Sequence, residues 1–364
     1  MVSEDEVQVR IATTPTSGVT PVVDGSEGTP SSVSDALARA RAWPDGLRPG
    51  RGGTVVLWEL LATLAAGDLA VARAVEPHLD ALAILDQAGL APGPLGLRAD
   101  ATWGVYAADG PGPGLTARET ADGSWVLNGV KPWCSLAGEL DAALVTARLA
   151  DDPETRTMLA VDLRASGVAP VEQAWYARGL VEIPSTPVRF DEVPAALVRR
   201  GDWYLERPGF WWGGLGVAAC WYGGAVAIAR RVHAEAHRKP EDRLLAMHLG
   251  AVDERLHAAR VALADAATRV DASGASTAGG REPESAVDRQ EGRVLAKRVR
   301  AVVGRTCEDV LRIAGHALGP GPLTQEADHA KRVADLEVYV RQQHAERDDA
   351  SLGGALAGAG RAPW

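Results

Sequence analysis

Eleven tryptophans against two phenylalanines raise the first question of chemistry, because an indole offers a wide flat face and one N–H. Such a bias serves either a flat aromatic ligand or core positions in which Trp replaces Phe. Trp133 stands in Lys131-Pro132-Trp133-Cys134-Ser135, where strand alternation would put the indole and the Ser135 hydroxyl on one face and turn Cys134 to the other. Trp211 and Trp212 are consecutive and cannot both face one core, so they are core residues or the wall of an aromatic-lined substrate pocket. His233 and His237 are the one i, i+4 pair among eight scattered histidines. With no third ligand in a recognised arrangement, no metal is expected. Cys134, Cys220 and Cys307 lie far apart without a CxxC pair and read as reduced, buried thiols. Phosphate-loop and GxSxG motifs are missing, and AADGPGPG (107–114) fails as a dinucleotide loop because Pro stands where the helix would start.

The elements that position these residues follow from composition and period. With 364 residues, 46% of them hydrophobic, the chain suffices for two or three domains around a sizeable core. A net charge of −10 speaks against a nucleic-acid or anionic-membrane partner, either of which needs clustered Lys and Arg. The acidic start MVSEDEVQVR does not read as a signal peptide, and no stretch reads as the roughly 18 apolar residues of a membrane span, so a cytoplasmic protein is expected.

Residues 1–30, rich in Thr, Ser, Pro and Gly, are expected to be a flexible leader. Ser34-Asp35 is expected to cap a first helix. The run 55–89 has apolar residues three and four apart, divides into two helices at Gly67-Asp68, and ends at Gly89. From residue 101 the period changes: WVLNG, AALVTARL, TMLAVDL and TPVRF read as strands, with Asn128-Gly129 as the tight turn of a hairpin. Helices return after Arg207-Pro208, at 216–237, 243–270, from 285, and at 325–349, with a loop at 271–285. The expected organisation is an α+β chain: leader 1–30, helical domain 31–100, β domain 101–198, helical bundle 199–350 and a loose tail 351–364.

The stretch DGSWVLNGVKPWCSLAG (122–138), followed by Asp141-Ala-Ala-Leu-Val, resembles the β-domain signature of the acyl-CoA dehydrogenase family. LWELLATLAAGDLAVARAVEPHLDALAILDQAG (57–89), RGLVEIPSTPVRFDEVPA (178–195) and the block 209–353 resemble other parts of that family. The resemblance implies an N-terminal helical domain, a central small β-barrel or sheet domain and a C-terminal four-helix bundle. It also implies FAD, with Trp133 packed on the isoalloxazine face and the Ser135 hydroxyl reaching the redox-active nitrogen.

Departures from the family pattern matter equally. The loop VYAADGPGPG (105–114) lacks the family's hydroxyls; backbone N–H groups of Tyr106 to Ala108 contact the flavin, or the loop is a plain connector. For the FAD diphosphate of a neighbouring subunit, His237-Arg238-Lys239-Pro240 keeps cations but loses Phe-Gly, and Gly315 stands for the adenosine loop. Both fragments also read as ordinary helix ends. Setting Asp335 on the family's Asp puts Gln343 where the catalytic Glu belongs, and a glutamine cannot take a proton. His344 and Glu346 remain as substitute bases, or as a helix-end cation and an exposed ion-pair partner.

The resemblance therefore implies first an α,β-desaturation of an acyl-CoA thioester, with an acceptor flavoprotein for the electrons. A second implied activity is a monooxygenase of the same fold, which takes reduced flavin from outside and needs no carboxylate base; His344 would then be a proton donor. A third is a non-catalytic partner subunit. A homo- or hetero-oligomer is expected in every case, acting on a small molecule in the first two.

Overall fold

Gly67-Asp68 interrupts a long apolar run with a residue of poor helix propensity and a strong helix-capping side chain. In the computed structural model, which describes residues 8–12, 30–41, 47–111, 114–172, 175–207, 209–277 and 286–359, helix α1 (Val33–Ala40) precedes α2 (Thr54–Gly67) and α3 (Leu69–Gln87). Asp68 caps α3 by accepting the Ala70 N–H at 2.8 Å. Gly89, at φ 66°, closes it. The first helix is capped by Ser32 rather than by Ser34-Asp35: its hydroxyl accepts the Asp35 N–H at 3.1 Å. Part of the expected leader is fixed. Val9 and Ile11 are buried, and their N–H groups donate to Thr63 Oγ1 at 3.0 Å and Glu59 Oε1 at 2.7 Å, both on α2. Residues 1–7 and 13–29 of that leader lie outside the described residues.

Seven strands follow: β1 (Trp103–Tyr106), β2 (Leu115–Glu119), β3 (Trp125–Lys131), β4 (Ala142–Leu149), β5 (Arg156–Asp162), β6 (Val168–Pro170) and β7 (Val188–Arg200). β4 pairs with β2, β2 with β3, β3 with β7, β7 with β5 and β5 again with β4, so the sheet closes into a small barrel. β1 runs parallel beside the start of β4. Asn128-Gly129 is not the hairpin turn. It lies inside β3, at a register shift against β7, and the β2–β3 turn is made at Asp122-Gly123 instead. The glycine at 129 answers a different need: at φ 116° its Cβ would lie 2.3 Å from Gly114 O.

Past the barrel come α4 (Trp203–Glu206), α5 (Gly209–Arg238), α6 (Arg243–Thr277), α7 (Ala286–Leu318), α8 (Gly321–Gln325), α9 (Ala327–Tyr339) and α10 (Glu346–Ala357). Helix α5 is the axis, packed by α2 and α3 on one side and by α6, α7 and α9 on others. Contrary to the sequence reading, it holds an 18-residue window apolar enough to cross a membrane; 78% of that window is buried inside the protein. Two expectations for the C-terminal region change. α6 continues through Thr277, and residues 278–285 lie outside the described chain. The helix expected over 325–349 is broken: α9 ends at Tyr339, the His344 N–H is taken by Asp348 at 3.0 Å, Ala345 sits at φ 43°, and α10 reaches Ala357 through part of the expected tail.

One lysine ties the three parts together. Lys331 Nζ on α9 lies 2.6 Å from Asp335, 2.9 Å from Asp68 at the α2–α3 junction and 3.4 Å from Glu182 in the segment before β7. Asp335 also accepts the Leu180 N–H at 2.6 Å.

Candidate active site

The segment after β3 is held by backbone bonds to the segment before β7. Cys134 N–H donates to Thr186 O at 3.1 Å and Leu136 N–H to Pro184 O at 3.0 Å. Within this frame Trp133 adopts φ 60°, a strained conformation for a bulky residue of the kind found at functional sites. Its ring is 58% exposed, whereas Cys134 and Ser135 are both buried. The expected alternation is thus replaced by a backbone twist: left-handed φ, not strand period, turns the indole outward. The Cys134 thiol faces Lys131 O at 3.3 Å, and burial pushes its pKa up to about 12, which makes it inert.

Ser135 is held from three sides. Tyr106 Oη, buried beneath it, donates to Ser135 O at 2.9 Å. Arg73 Nη2, from α3, donates to Ser135 Oγ at 3.1 Å. Ser135 Oγ lies 2.7 Å from Ser185 Oγ, which in turn donates to Ile183 O at 3.2 Å. The hydroxyl network therefore runs from Arg73 through Ser135 to Ser185, across α3 and the barrel.

Behind Arg73 is a polar layer that the sequence reading missed. Arg73, Glu76 and Asp80 occupy one face of α3, and that i, i+3, i+7 spacing is the only signal the sequence carried. Helix α5 meets this face with glycines: a Cβ at Gly213 would lie 2.7 Å from Asp80 Oδ1, and one at Gly216 3.9 Å from Glu76 Oε1. Burial, with Asp80 beside it, pushes Glu76 up to about 8, so it holds a proton at neutral pH. Asp80 is also raised by burial, opposed by Arg207 at 3.6 Å. The Arg73 guanidinium is 5.6 Å from the Tyr339 ring centre, and Arg300 of α7 lies 4.5 Å over Trp221 while donating to Gly214 O at 2.6 Å and Gln342 O at 3.0 Å. Tyr339 Oη and Trp221 Nε1 are buried without a hydrogen-bond partner.

The other sequence candidates lie apart from this cluster. Gln343 packs by its Cγ near Gly304 of α7, and with Glu346 it lines a cavity of about 110 Å³ bounded by Arg305, Glu308 and Asp349. The break after Tyr339 removes the helical face that was to carry Glu346 beside Gln343, and both His344 and Glu346 are exposed. Arg238 is exposed and has its charge taken by Glu235 on its own helix, while Gly315 faces open space inside α7. Ala108 is exposed on the loop after β1. Trp212 is buried, and Trp211 packs edge-on against Phe210 at 5.0 Å with Arg293 5.8 Å from its ring. Among the described residues no hydrogen bond or ring contact links either tryptophan to Ser135 or Arg73.

Three solved structures share this architecture. KijD3, in complex with FMN and dTDP-3-amino-2,3,6-trideoxy-4-keto-3-methyl-D-glucose, superposes with a TM-score of 0.74 at 19% identity over 93% of this chain and 89% of its own. The dibenzothiophene monooxygenase TdsC from Paenibacillus sp. A11-2 gives 0.70 at 18% identity over 82% of each chain. Butyryl-CoA dehydrogenase from Megasphaera elsdenii gives 0.69 at 16% identity over 89% of each. No curated protein sequence matches the chain. The protein thus has the acyl-CoA dehydrogenase-like fold, which these neighbours show in both a monooxygenase and a dehydrogenase. More particularly, residues 109–193 match the acyl-CoA dehydrogenase middle domain. The residues present suit a flavin: an uncovered indole at a strained position, a hydroxyl network beside it, and two buried polar atoms without partners.

Proposed function

We propose that this chain is a flavin-dependent monooxygenase acting on a small molecule, using FMN or FAD at Trp133 and Ser135. A bound reduced flavin supplies two electrons to oxygen. The observation that carries the reading lies at Ser135: a guanidinium, that of Arg73, donates to its hydroxyl at 3.1 Å, and neither of the two residues expected to act as base, His344 and Glu346, both exposed, makes a hydrogen bond to it. Desaturation of an acyl thioester requires an ionised carboxylate against the flavin, whereas oxygenation requires a proton source and cationic stabilisation of negative charge. The chain's own residues have corresponding tasks. Trp133 offers the stacking face, Tyr106 fixes the Ser135 carbonyl, Arg73 orients the Ser135 hydroxyl, and Glu76 holds a proton within the same layer. The likeness to TdsC, a dibenzothiophene monooxygenase, is in keeping with this reading, and the likeness to butyryl-CoA dehydrogenase is of similar strength, so the choice rests on the residues at Ser135.

The test begins with the purified protein titrated with FMN and with FAD, followed by visible absorbance and tryptophan fluorescence. Binding of one flavin is expected, with Trp133→Ala weakening it by roughly tenfold or more, since aromatic stacking adds about 0.5–1.5 kcal/mol beyond area burial. The chemically reduced complex is expected to reoxidise quickly in air and not to form when the oxidised complex meets butyryl-CoA anaerobically. Anaerobic bleaching by the thioester, or a protein that takes up neither flavin, overturns the proposal. His344→Ala and Glu346→Gln are each expected to leave flavin reoxidation unchanged and stability within about 0.5 kcal/mol, as exposed side chains away from the site do.

A further inference from the structure

A charge held partly inside a protein is stable only when it is paired or fully hydrogen-bonded. Arg207 and Lys131, each 2% exposed, have Asp80 at 3.6 Å and Asp109 at 3.5 Å. Arg73 differs. It is half-buried, has no carboxylate within ion-pair distance among the described residues, and spends one of its five N–H donors on Ser135 Oγ. The carboxyl one turn along α3, Glu76, is not within ion-pair distance of it, and burial pushes that carboxyl's pKa up, against the pull of Arg73. In the surroundings Trp221 Nε1 is a buried donor without a hydrogen-bond partner, and Arg300 is a second cation in the same layer. Tyr339 lies beside the Cys220 thiol, a weak partner whose pKa burial raises well above the usual range, so it brings no charge.

We infer that Arg73, held against Ser135, is an anion-binding point of the site, and that a bound molecule turns a flat anionic group toward this guanidinium. The inference rests on reading Trp133 and Ser135 as the flavin face. A planar guanidinium with free N–H donors matches a carboxylate in two-point fashion, which a lysine cannot do. The anion belongs either to the substrate or to the ring of the reduced flavin, and the two sources are separable.

The experiment uses the full chain, with and without FMN, titrated calorimetrically with benzoate and with benzamide, two probes of equal shape that differ in charge. Benzoate is expected to bind roughly tenfold or more tightly than benzamide, as a charge-assisted hydrogen bond implies. Arg73→Gln is expected to erase the difference and Arg73→Lys to keep part of it. In a second arm the midpoint potential of bound FMN is measured for the same proteins. A potential that falls in Arg73→Gln while the probes bind equally assigns the anion to the reduced ring; probe discrimination with an unmoved potential assigns it to the substrate. Equal binding of the probes together with an unmoved potential overturns the inference. Should Arg73→Gln not fold, the wild-type probe comparison and Arg73→Lys decide alone. FMN binding with neither effect sinks the anion site and leaves the oxygenase reading standing, and probe discrimination without FMN binding does the reverse.

Discussion

Between about pH 5 and pH 8 the unfolding free energy is expected to fall by an amount on the order of 3–5 kcal/mol through one residue, Glu76, and Glu76→Gln is expected to remove most of that slope. The sign follows from proton binding. Burial beside Asp80 raises the folded-state pKa to about 8 from an ordinary 4.5, so the folded protein keeps a proton that the unfolded chain has already released. Stability from this group is fully present below the unfolded value and is lost as pH rises through the folded one. Gln keeps the volume and the polar atoms but cannot ionise. The variant should match the wild type near pH 5 and exceed it near pH 8 in urea unfolding, with a residual slope from Asp80, which burial raises in the same direction. Two parallel slopes would show that Glu76 is ionised in the folded protein, and the proton-holding role in the oxygenase reading would go with it.

Gly223→Ala is expected to destabilise by several kcal/mol, although the substitution favours helix in isolation by up to about 1 kcal/mol. A Cβ at that position would lie 2.1 Å from Ala62 O and 2.7 Å from Ala62 Cα. Both are backbone atoms of α2, so relief demands that α2 and α5 move apart along a crossing at which Trp58, Leu61 and Trp221 are buried. Gly250→Ala on α6 is the control: nothing lies within 4 Å of its added Cβ, and a gain of up to about 1 kcal/mol is expected. Comparable denaturant midpoints for the two variants would mean that the α2–α5 crossing is not tightly fixed.

Local chemistry was legible where one residue type had one use. Asp68 could only break and cap, and it does both. The largely apolar run AALVTARL read as a strand, and it forms β4 over those same residues. Asn128-Gly129 misled because a turn dipeptide and a glycine needed for close backbone approach look alike in sequence; the oxygen of Gly114 that demands the glycine is a tertiary neighbour. The break after Tyr339 was hidden for a similar reason. Arg300 of α7 captures the Gln342 carbonyl and Asp348 captures the His344 N–H, both at the expense of helix continuation.

The site divides in the same way. Residue order alone placed Trp133 and Ser135 together, and the resemblance to the acyl-CoA dehydrogenase family implied at Gln343 a base position without a base. That Trp133 turns its ring outward through φ 60°, that Arg73 reaches Ser135 from another part of the molecule, and that Glu76 keeps its proton were decided by packing. Their spacing puts Arg73, Glu76 and Asp80 on one polar face of a helix, which water would normally cover. The approach of α5, made close by Gly213 and Gly216, takes Glu76 and Asp80 out of water, and with the water goes the dielectric that would have left these two carboxyls ordinary.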